Sequence, residues 1–145
     1  MSCKSRFILT HDAFVKRQNI MVGFSDSVGS AVSLINTGIY MFYDYTGNIV
    51  LKSKNNSTSS HLSQTIVYTF SPNIWYDVEV IWESGIGTML YINGIKIGGN
   101  LPDNITQSDL SLLRMTPSFQ YYTTSLGSTN VSCGVDYIRA YSLIE

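Results

Sequence analysis

Hydrophobic and polar residues alternate along most of the chain, and turn residues interrupt the alternation every few positions. The clearest alternation begins at Trp75, where Tyr76, Val78, Val80 and Trp82 fall on one face of an extended chain and the residues between them fall on the other. This two-residue period predicts a half-buried β-strand.

Further extended segments follow from the same pattern and from β-branched and aromatic residues. Asn93-Gly94 predicts a tight hairpin turn within residues 75–97, because both positions of such a turn take a positive φ. Residues 52–63 are polar and predict a loop, and residues 100–113 predict a loop with one short helical turn. The remaining predicted strands are residues 20–24, 38–45, 49–52, 64–70, 118–123 and 131–143.

About ten short strands predict a single all-β domain over residues 1–145, built as a sandwich or a barrel. The chain has 145 residues, which is enough for one domain with its own core and too few for two ordinary ones. The first 19 residues lack the long apolar centre of a signal peptide. We therefore expect export by another route, for example within a virion, or a longer parent chain.

Composition narrows the possible partners. Charged residues make up 13% of the chain, and the formal net charge is −1. Such a chain has no basic surface for nucleic acid phosphates and no attraction to an anionic membrane. No apolar run approaches the ~18 residues that can cross a bilayer, so we expect neither nucleic acid binding nor membrane insertion. Uncharged hydroxyl and amide groups suit neutral, hydroxyl-rich ligands, although many extracellular β-sandwiches have such a surface.

Three segments together resemble one superfamily. They are IWYDVEVIW at residues 74–82 with MLYING at 89–94, VDYIRAY at 135–141, and VGFSD at 22–26. They resemble motifs of the concanavalin A-like lectin and glucanase superfamily, in its laminin-G-like and laminarinase-like members. The resemblance implies a jelly-roll sandwich of two antiparallel sheets that binds glycans on its concave face or rim. The segment before residue 19 is shorter than in these relatives, which suggests the C-terminal module of a larger protein.

The glucanase members of this superfamily carry a strand motif with two glutamates and an aspartate, and this chain has no such segment. Its only glutamates are Glu79, Glu83 and Glu145. Asp77 and Glu79 would lie ~6.6 Å apart on one face of a strand, but that strand does not correspond to the catalytic one. His11 and His61 lie in polar surroundings without a nucleophile motif. The chain is therefore predicted not to be an enzyme.

Aromatic residues are the strongest candidates for ligand contact. The chain has ten tyrosines, two tryptophans and six phenylalanines, more than one small core needs. An exposed ring beside amides and hydroxyls can stack on a sugar ring, whereas a subunit interface or packing between the two sheets would use the same residues. The candidate ligand-binding residues are Tyr40, Tyr43, Tyr45, Trp75, Tyr121 and Tyr122.

Two further sites follow from single residues. By resemblance to the glucanases, Asp136 matches an aspartate that helps to hold a structural calcium ion (Ca2+), and an oxygen-only site would suit that ion. A surface ion pair with Arg139 or a lysine explains Asp136 equally well. Cys3 and Cys133 lie near the two ends of the chain, and we expect buried thiols rather than a disulfide bond.

The leading hypothesis is a non-catalytic, lectin-like recognition module that binds a glycan or a glycosylated cell surface weakly and gains avidity from several copies. An extracellular or virion-surface protein, such as a phage or viral fibre or an adhesin, would suit this role. The alternative is a structural module that forms a homo-oligomer such as a trimer, or caps a fibre, without binding sugar. A weak glycoside hydrolase is the third hypothesis.

Overall fold

The computed structural model describes residues 1–9, 18–26, 35–43, 47–113, 117–123 and 133–141. They form two five-stranded antiparallel sheets packed face to face and one short helix, which confirms the predicted all-β sandwich. The strands are β1 (Ser2–Leu9), β2 (Gln18–Ser25), β3 (Gly38–Tyr43), β4 (Asn48–Asn55), β5 (Ser60–Val67), β6 (Trp75–Glu83), β7 (Gly87–Ile92), β8 (Ile95–Leu101), β9 (Pro117–Thr123) and β10 (Cys133–Tyr141), and the helix is α1 (Gln107–Leu113).

Sheet I has the strand order β10-β1-β6-β7-β8, and sheet II has the order β5-β4-β3-β2-β9. Each sheet buries one face against the other, so side chains alternate between the core and the outer surface along every such strand. On β6 the alternation is complete: Tyr76, Val78, Val80 and Trp82 are buried, and the residues between them are only partly buried. The prediction for this strand is confirmed.

An aromatic cluster fills one part of the core between the sheets. The ring of Phe70 meets the rings of Phe7, Tyr43 and Tyr76 edge-on, at centroid distances of 5.3, 4.8 and 4.7 Å. Edge-to-face contact brings the positive ring edge against the negative ring face, so these contacts add to the gain from burial alone. The cluster joins β1, β3 and β6 and thereby ties the two sheets together.

Strand β1 was not predicted from the sequence, although it lies between β10 and β6 in sheet I. Cys3, Phe7 and Leu9 point into the core, but Ser5 occupies an inward position and Ile8 an outward one. Because a polar residue points inward and an apolar residue points outward, the two-residue period of hydrophobic residues is hidden in this strand. Ser5 is accommodated because its hydroxyl donates a hydrogen bond of 3.2 Å to the Tyr137 backbone carbonyl.

The predicted loop at residues 52–63 is wrong for most of its length. Strand β4 continues to Asn55 and β5 already begins at Ser60, so only a tight turn separates them. The Asn55 side-chain carbonyl accepts hydrogen bonds from the backbone N–H groups of Ser57 and Thr58, which stabilises this turn. One face of each strand is turned towards solvent and carries polar residues. The sequence of these strands therefore looks like that of a loop.

The predicted meander of β6, β7 and β8 is confirmed. Asn93 and Gly94 have φ angles of 51° and 78°, as a two-residue hairpin turn requires. The predicted helical turn between residues 100 and 113 is α1. No helix in the described part of the chain has the length and apolar character needed to cross a membrane.

Neither Cys3 nor Cys133 is in a disulfide bond, as expected. In the register of β1 and β10, Cys3 pairs with Ala140 and Cys133 pairs with Leu9, so the thiols lie at opposite ends of the strand pair. Cys3 is buried, and burial raises the pKa of the Cys133 thiol to about 11.

Candidate binding face

The outer face of sheet I carries exposed aromatic rings and charged groups on the adjacent strands β6, β1 and β10. Strand register sets them in rows, because residues paired across neighbouring strands point to the same face. One row contains Asp77, Arg6 and Tyr137, and a neighbouring row contains Trp75, Ile8 and Gly134. We call this surface the aromatic–charged face, and its members are Arg6, Ile8, Trp75, Asp77, Gly134, Asp136, Tyr137, Arg139 and Tyr141.

A hydrogen bond links the outer strands of this face. The Tyr137 hydroxyl donates to Asp77 Oδ1 at 2.6 Å. This bond to Asp77 is the main reason that the pKa of Tyr137 rises to about 12, and burial and the negative charge of Asp77 act in the same direction. The nearby positive charges of Arg139 and Arg6 oppose the increase only in part. At neutral pH the phenol is therefore a neutral donor fixed on a carboxylate.

Arg6 connects the two predicted site residues that share this face. Its guanidinium carbon lies 5.5 Å from the centroid of the Trp75 ring, within cation–π range. Its Nη1 atom lies 3.6 Å from Asp136 Oδ2. Both charged side chains are about half exposed, so solvent screens the ion pair and it orients Arg6 more than it stabilises the fold.

Gly134 lies next to Ile8 and within reach of the Trp75 ring. A Cβ atom at this position would lie 2.8 Å from Ile8 Cγ2, which is too close, and 3.6 Å from Trp75 Cη2, which is ordinary van der Waals contact. The indole thus extends from β6 across Ile8 towards β10. Because 42% of Trp75 is exposed, its ring offers an open apolar surface beside Arg6.

A second aromatic and arginine group occupies the β10 end of the face. The guanidinium carbon of Arg139 lies 4.5 Å from the Tyr137 ring centroid. A hydrogen bond with the Tyr141 side chain is the main cause that raises the pKa of Arg139. Tyr141 is 48% exposed, so this end presents another accessible ring with charged hydrogen-bonding groups beside it.

This arrangement can bind a flat ligand that has both apolar C–H groups and hydroxyls. Trp75 and Tyr141 supply ring surface, and Arg6 and Arg139 supply N–H donors. Two of the three carboxylates on β6 already accept hydrogen bonds, Asp77 from Tyr137 and Glu79 from the Ser2 hydroxyl at 2.5 Å. Bound carboxylates of this kind act as fixed acceptors and orienting groups.

The structure separates the other predicted ligand-binding residues from this face. Tyr40 is 0% exposed and packs with Met21 and Ile35 on the outer side of sheet II. Tyr43 is 1% exposed and lies in the core against Phe70. The prediction that these two rings contact a ligand at the surface is therefore wrong, since neither is accessible.

Three predicted tyrosines remain. Tyr121 and Tyr122 lie on β9, at the end of sheet II, where they pair with Ile20 and Asn19 of β2. They belong to the other sheet from Trp75, and their role in ligand binding stays a prediction. Tyr45 lies outside the described residues.

Among the residues that the structure describes, Asp136 forms its ion pair with Arg6 of the neighbouring strand rather than with Arg139 or a lysine. Within the described ranges, no three side chains of His, Cys, Asp or Glu lie close enough together to hold a metal ion. A calcium ion at Asp136 would depend on backbone carbonyls and water, and the Arg6 guanidinium would compete with it for the carboxylate. Calcium binding at Asp136 stays a prediction.

Sequence reasoning missed the contributions of Arg6, Tyr137 and Tyr141. The outward position of Arg6 depends on strand β1, which the sequence pattern does not predict. The even spacing of Cys3, Phe7 and Leu9 is the one indication of a strand in this segment. Tyr137 was noted only within the motif of the last strand. Its outward direction follows from the antiparallel register with Arg6, which the sequence alone does not provide.

Comparison with known proteins identifies the fold among solved structures. The chain resembles sheep galectin-11 in its complex with glycerol, with a TM-score of 0.52 and 15% identity over 91% of this chain and 87% of that chain. It also resembles carbohydrate binding module CBM66 from Bacillus subtilis, with a TM-score of 0.50 and 10% identity over 94% of this chain and 71% of that chain. No family model and no curated protein matches the sequence. At these identities the comparisons establish a lectin-like β-sandwich fold.

Proposed function

We propose that the chain is a non-catalytic carbohydrate-binding module and that the aromatic–charged face is its binding site. The observation that carries this proposal is the Trp75 ring, which is exposed and lies beside the Arg6 guanidinium, itself paired with Asp136. An aromatic platform flanked by fixed hydrogen-bonding groups matches the alternating C–H and hydroxyl groups of a sugar.

The fold supports the same proposal. Galectin-11 and CBM66 share the lectin-like sandwich, and CBM66 is a carbohydrate binding module. We propose membership of the concanavalin A-like superfamily, on the motifs of β2, β6, β7 and β10. Fold alone does not determine function, so the proposal depends on the exposed site.

We further propose that the module belongs to a larger extracellular or virion-surface protein, such as a fibre or an adhesin. A shallow, exposed platform holds a sugar weakly, because it desolvates little of the ligand surface. Several copies presented together would raise the effective affinity for a glycosylated cell surface without any new contact.

A glycan array followed by titration calorimetry tests the proposal. We expect saturable binding of at least one glycan, and we expect Trp75→Ala to weaken it about tenfold, equivalent to ~1.4 kcal/mol. Ile95→Ala is the matched control, because Ile95 is 67% exposed but lies on β8, away from the site. Equal affinity of wild type and Trp75→Ala would rule out this face.

One observation favours a second function, oligomerisation without sugar binding. Strand β10 is the edge of sheet I and exposes Val135, Ile138 and Tyr141 by 43–48%. An exposed apolar strand edge can pair with another copy of the chain. Sedimentation equilibrium separates the two functions: a stable trimer that Ile138→Lys dissociates, together with an array free of hits, supports the structural role.

A weak glycoside hydrolase is tested in the same preparation. Asp77 and Glu79 are held by Tyr137 and Ser2, and such fixed carboxylates suit binding better than proton transfer. We expect no product release from β-glucans. Release that disappears in Glu79→Gln would overturn the non-catalytic proposal.

A further inference from the structure

A depression of about 280 Å³ opens on the outer face of sheet II, on the other side of the sandwich from Trp75. Lys52, Lys54, His61, Leu62 and Ser63 line it. Lys52 pairs with Ser63 and Lys54 pairs with His61 in the register of β4 and β5, so these four side chains share one outward face. Its volume is close to the lower end of the range for small-ligand sites, about 300 Å³.

The depression has an excess of positive charge. It brings two ammonium groups and an imidazole together, and the outward residues described on β2, β3, β4 and β5 include no carboxylate. In the described part of the chain, no ion pair joins Lys52 or Lys54 to an acidic group. Asp26, at the end of β2, accepts hydrogen bonds from the backbone N–H groups of Asn36 and Thr37 instead.

Lys54 is held in place. Its ammonium donates a hydrogen bond to the backbone carbonyl of Ile35, a buried residue. A lysine ammonium has three N–H donors, so two remain for a ligand. Lys52 and Lys54 lie two residues apart on β4 and point to the same face, so their like charges repel each other, and an anion between them would remove that cost.

We propose that this depression binds the carboxylate or sulfate group of an acidic saccharide. Lys52 and Lys54 supply charge-assisted hydrogen bonds to the oxyanion, and His61 and the Ser63 hydroxyl contact the ring hydroxyls. The depression admits a single sugar unit. This second site goes beyond the function proposed above, because it requires no ligand on the aromatic–charged face and its failure leaves that proposal intact.

Amide chemical-shift titration of the whole chain tests the site with matched ligands. Glucuronic acid and glucose share a ring and differ at one carboxylate, and glucose 6-sulfate and inorganic sulfate separate a sulfated sugar from a free anion. We expect glucuronic acid and glucose 6-sulfate to shift the amides of Lys52, Lys54, His61 and Ser63. We expect both to bind about tenfold more tightly than glucose, and to bind more weakly as ionic strength rises.

The variants are chosen so that the fold stays intact. Lys52→Gln removes one cation without touching the Ile35 contact, and we expect it to weaken glucuronic acid binding about fivefold or more. Lys96→Gln removes an exposed cation from β8 of the other sheet and should leave binding unchanged. Unfolding curves verify that both variants are folded.

Three results would overturn the proposal. The first is equal binding of glucose and glucuronic acid, and the second is a set of shifted amides that lies outside β4 and β5. The third is inorganic sulfate that binds as tightly as glucose 6-sulfate, because that would make the depression a site for free anions. Loss of glycan-array binding in Trp75→Ala would concern only the aromatic–charged face and would not affect these three criteria.

Discussion

The hydroxyl of Tyr137 on β10 reaches the carboxylate of Asp77 on β6, 2.6 Å away, across the intervening strand β1. Arg6 pairs with both residues in the strand register and lies between them. This hydrogen bond thus joins β6 and β10 across β1 on the proposed binding face. Asp77 is also fixed through its own backbone, since its N–H donates to the Asn93 side chain and its carbonyl accepts from the Asn93 N–H.

This contact predicts a loss of stability at high pH. The pKa of Tyr137 rises from its ordinary value of 10.0 to about 12 in the folded chain, so folding favours the neutral phenol. The stabilisation is complete below pH 10 and disappears as pH rises from 10 to 12. Urea unfolding between pH 8 and pH 12 measures it, and the wild type should lose more stability over this range than Tyr137→Phe.

Tyr137→Phe also serves as the control at neutral pH, where we expect it to cost at most about 1 kcal/mol because the bond is only partly buried. Other tyrosines and lysines titrate in the same range, so the difference between the two proteins is the informative quantity. Parallel pH profiles for the two proteins would contradict the assigned contact.

A second prediction concerns Asp109, which is 2% exposed. Burial raises the pKa of its carboxyl, but hydrogen bonds from Thr106, Ser57 and Asn55 outweigh burial and lower the pKa below its ordinary 3.8. The stabilisation is therefore present above pH 3.8 and is lost as pH falls through the folded-state value. We expect Asp109→Ala to reduce the free energy of unfolding at pH 7 by about 3 kcal/mol, since the buried Asn55 amide loses an acceptor and the bonds from Thr106 and Ser57 are lost as well.

Chemical denaturation at pH 7 and pH 3 checks this prediction. The difference between wild type and Asp109→Ala should shrink at the lower pH, because the carboxyl of the unfolded chain, with its ordinary pKa of 3.8, is mostly protonated there. Asp103→Ala is an informative comparison, since Asp103 lies in the loop just before α1 but accepts hydrogen bonds from Trp82 and Gly85. An Asp109→Ala effect of equal size at both pH values would show that charge plays no part.

The third prediction compares two glycines with positive φ in one hairpin. A Cβ atom on Gly87, whose φ is 103°, would lie 1.8 Å from the Leu101 carbonyl oxygen. A Cβ atom on Gly85, whose φ is 76°, would meet nothing within 4 Å. We expect Gly87→Ala to destabilise by about 3 kcal/mol through overpacking and strain. Gly85→Ala should cost about 1 kcal/mol through strain alone.

The midpoint of urea unfolding for the two alanine variants, measured side by side, tests the comparison. Both changes add one methyl group and impose a similar backbone penalty, so their difference isolates the clash with Leu101. Similar midpoints for the two variants would refute the close approach of β7 and β8 at this point.

The fourth prediction concerns thiol reactivity. Burial raises the pKa of Cys133 to about 11, so only about 0.1% of this thiol is ionised at pH 8. Cys3 is fully buried. We expect the thiols of the folded protein to react slowly with an aromatic disulfide reagent. In the urea-unfolded protein both thiols should react at once and release two equivalents of the aromatic thiolate. Rapid reaction of one equivalent in the folded state would place Cys133 in a more exposed setting.

The sequence predicts those strands well in which hydrophobic and polar residues alternate strictly. β6 was found from its own residues, and the Asn93-Gly94 turn then defined its pairing with β7 and β8, because the required φ angles admit few residues. By contrast, β1 escaped detection since Ser5 points inward and Ile8 outward. The end of β4 and the start of β5 have the sequence of a loop, because lysine, histidine and serine side chains of both strands point to solvent.

The site was predicted in part. Exposure of Trp75 followed from its position opposite Trp82 on one strand, and its neighbours follow only from the strand order of sheet I. For Tyr40 and Tyr43, alternation along β3 could not identify an outer surface, since both faces of that strand are covered. Ile35, just before β3, helps to cover the outer side of that strand, and alternation along the strand does not reveal this.

One side-chain amide joins the two sheets at one side of the sandwich. The backbone N–H of Gly99 on β8 donates to Gln64 Oε1 on β5 at 3.1 Å, and a Cβ on Gly98 would collide with the same glutamine. At the opposite border of the sandwich, a neighbouring molecule that docks by strand addition would meet the edge strands β10 and β9. Copies joined there would keep Lys52 and Lys54 accessible, so assembly would multiply the number of ligand contacts per particle without consuming the basic depression.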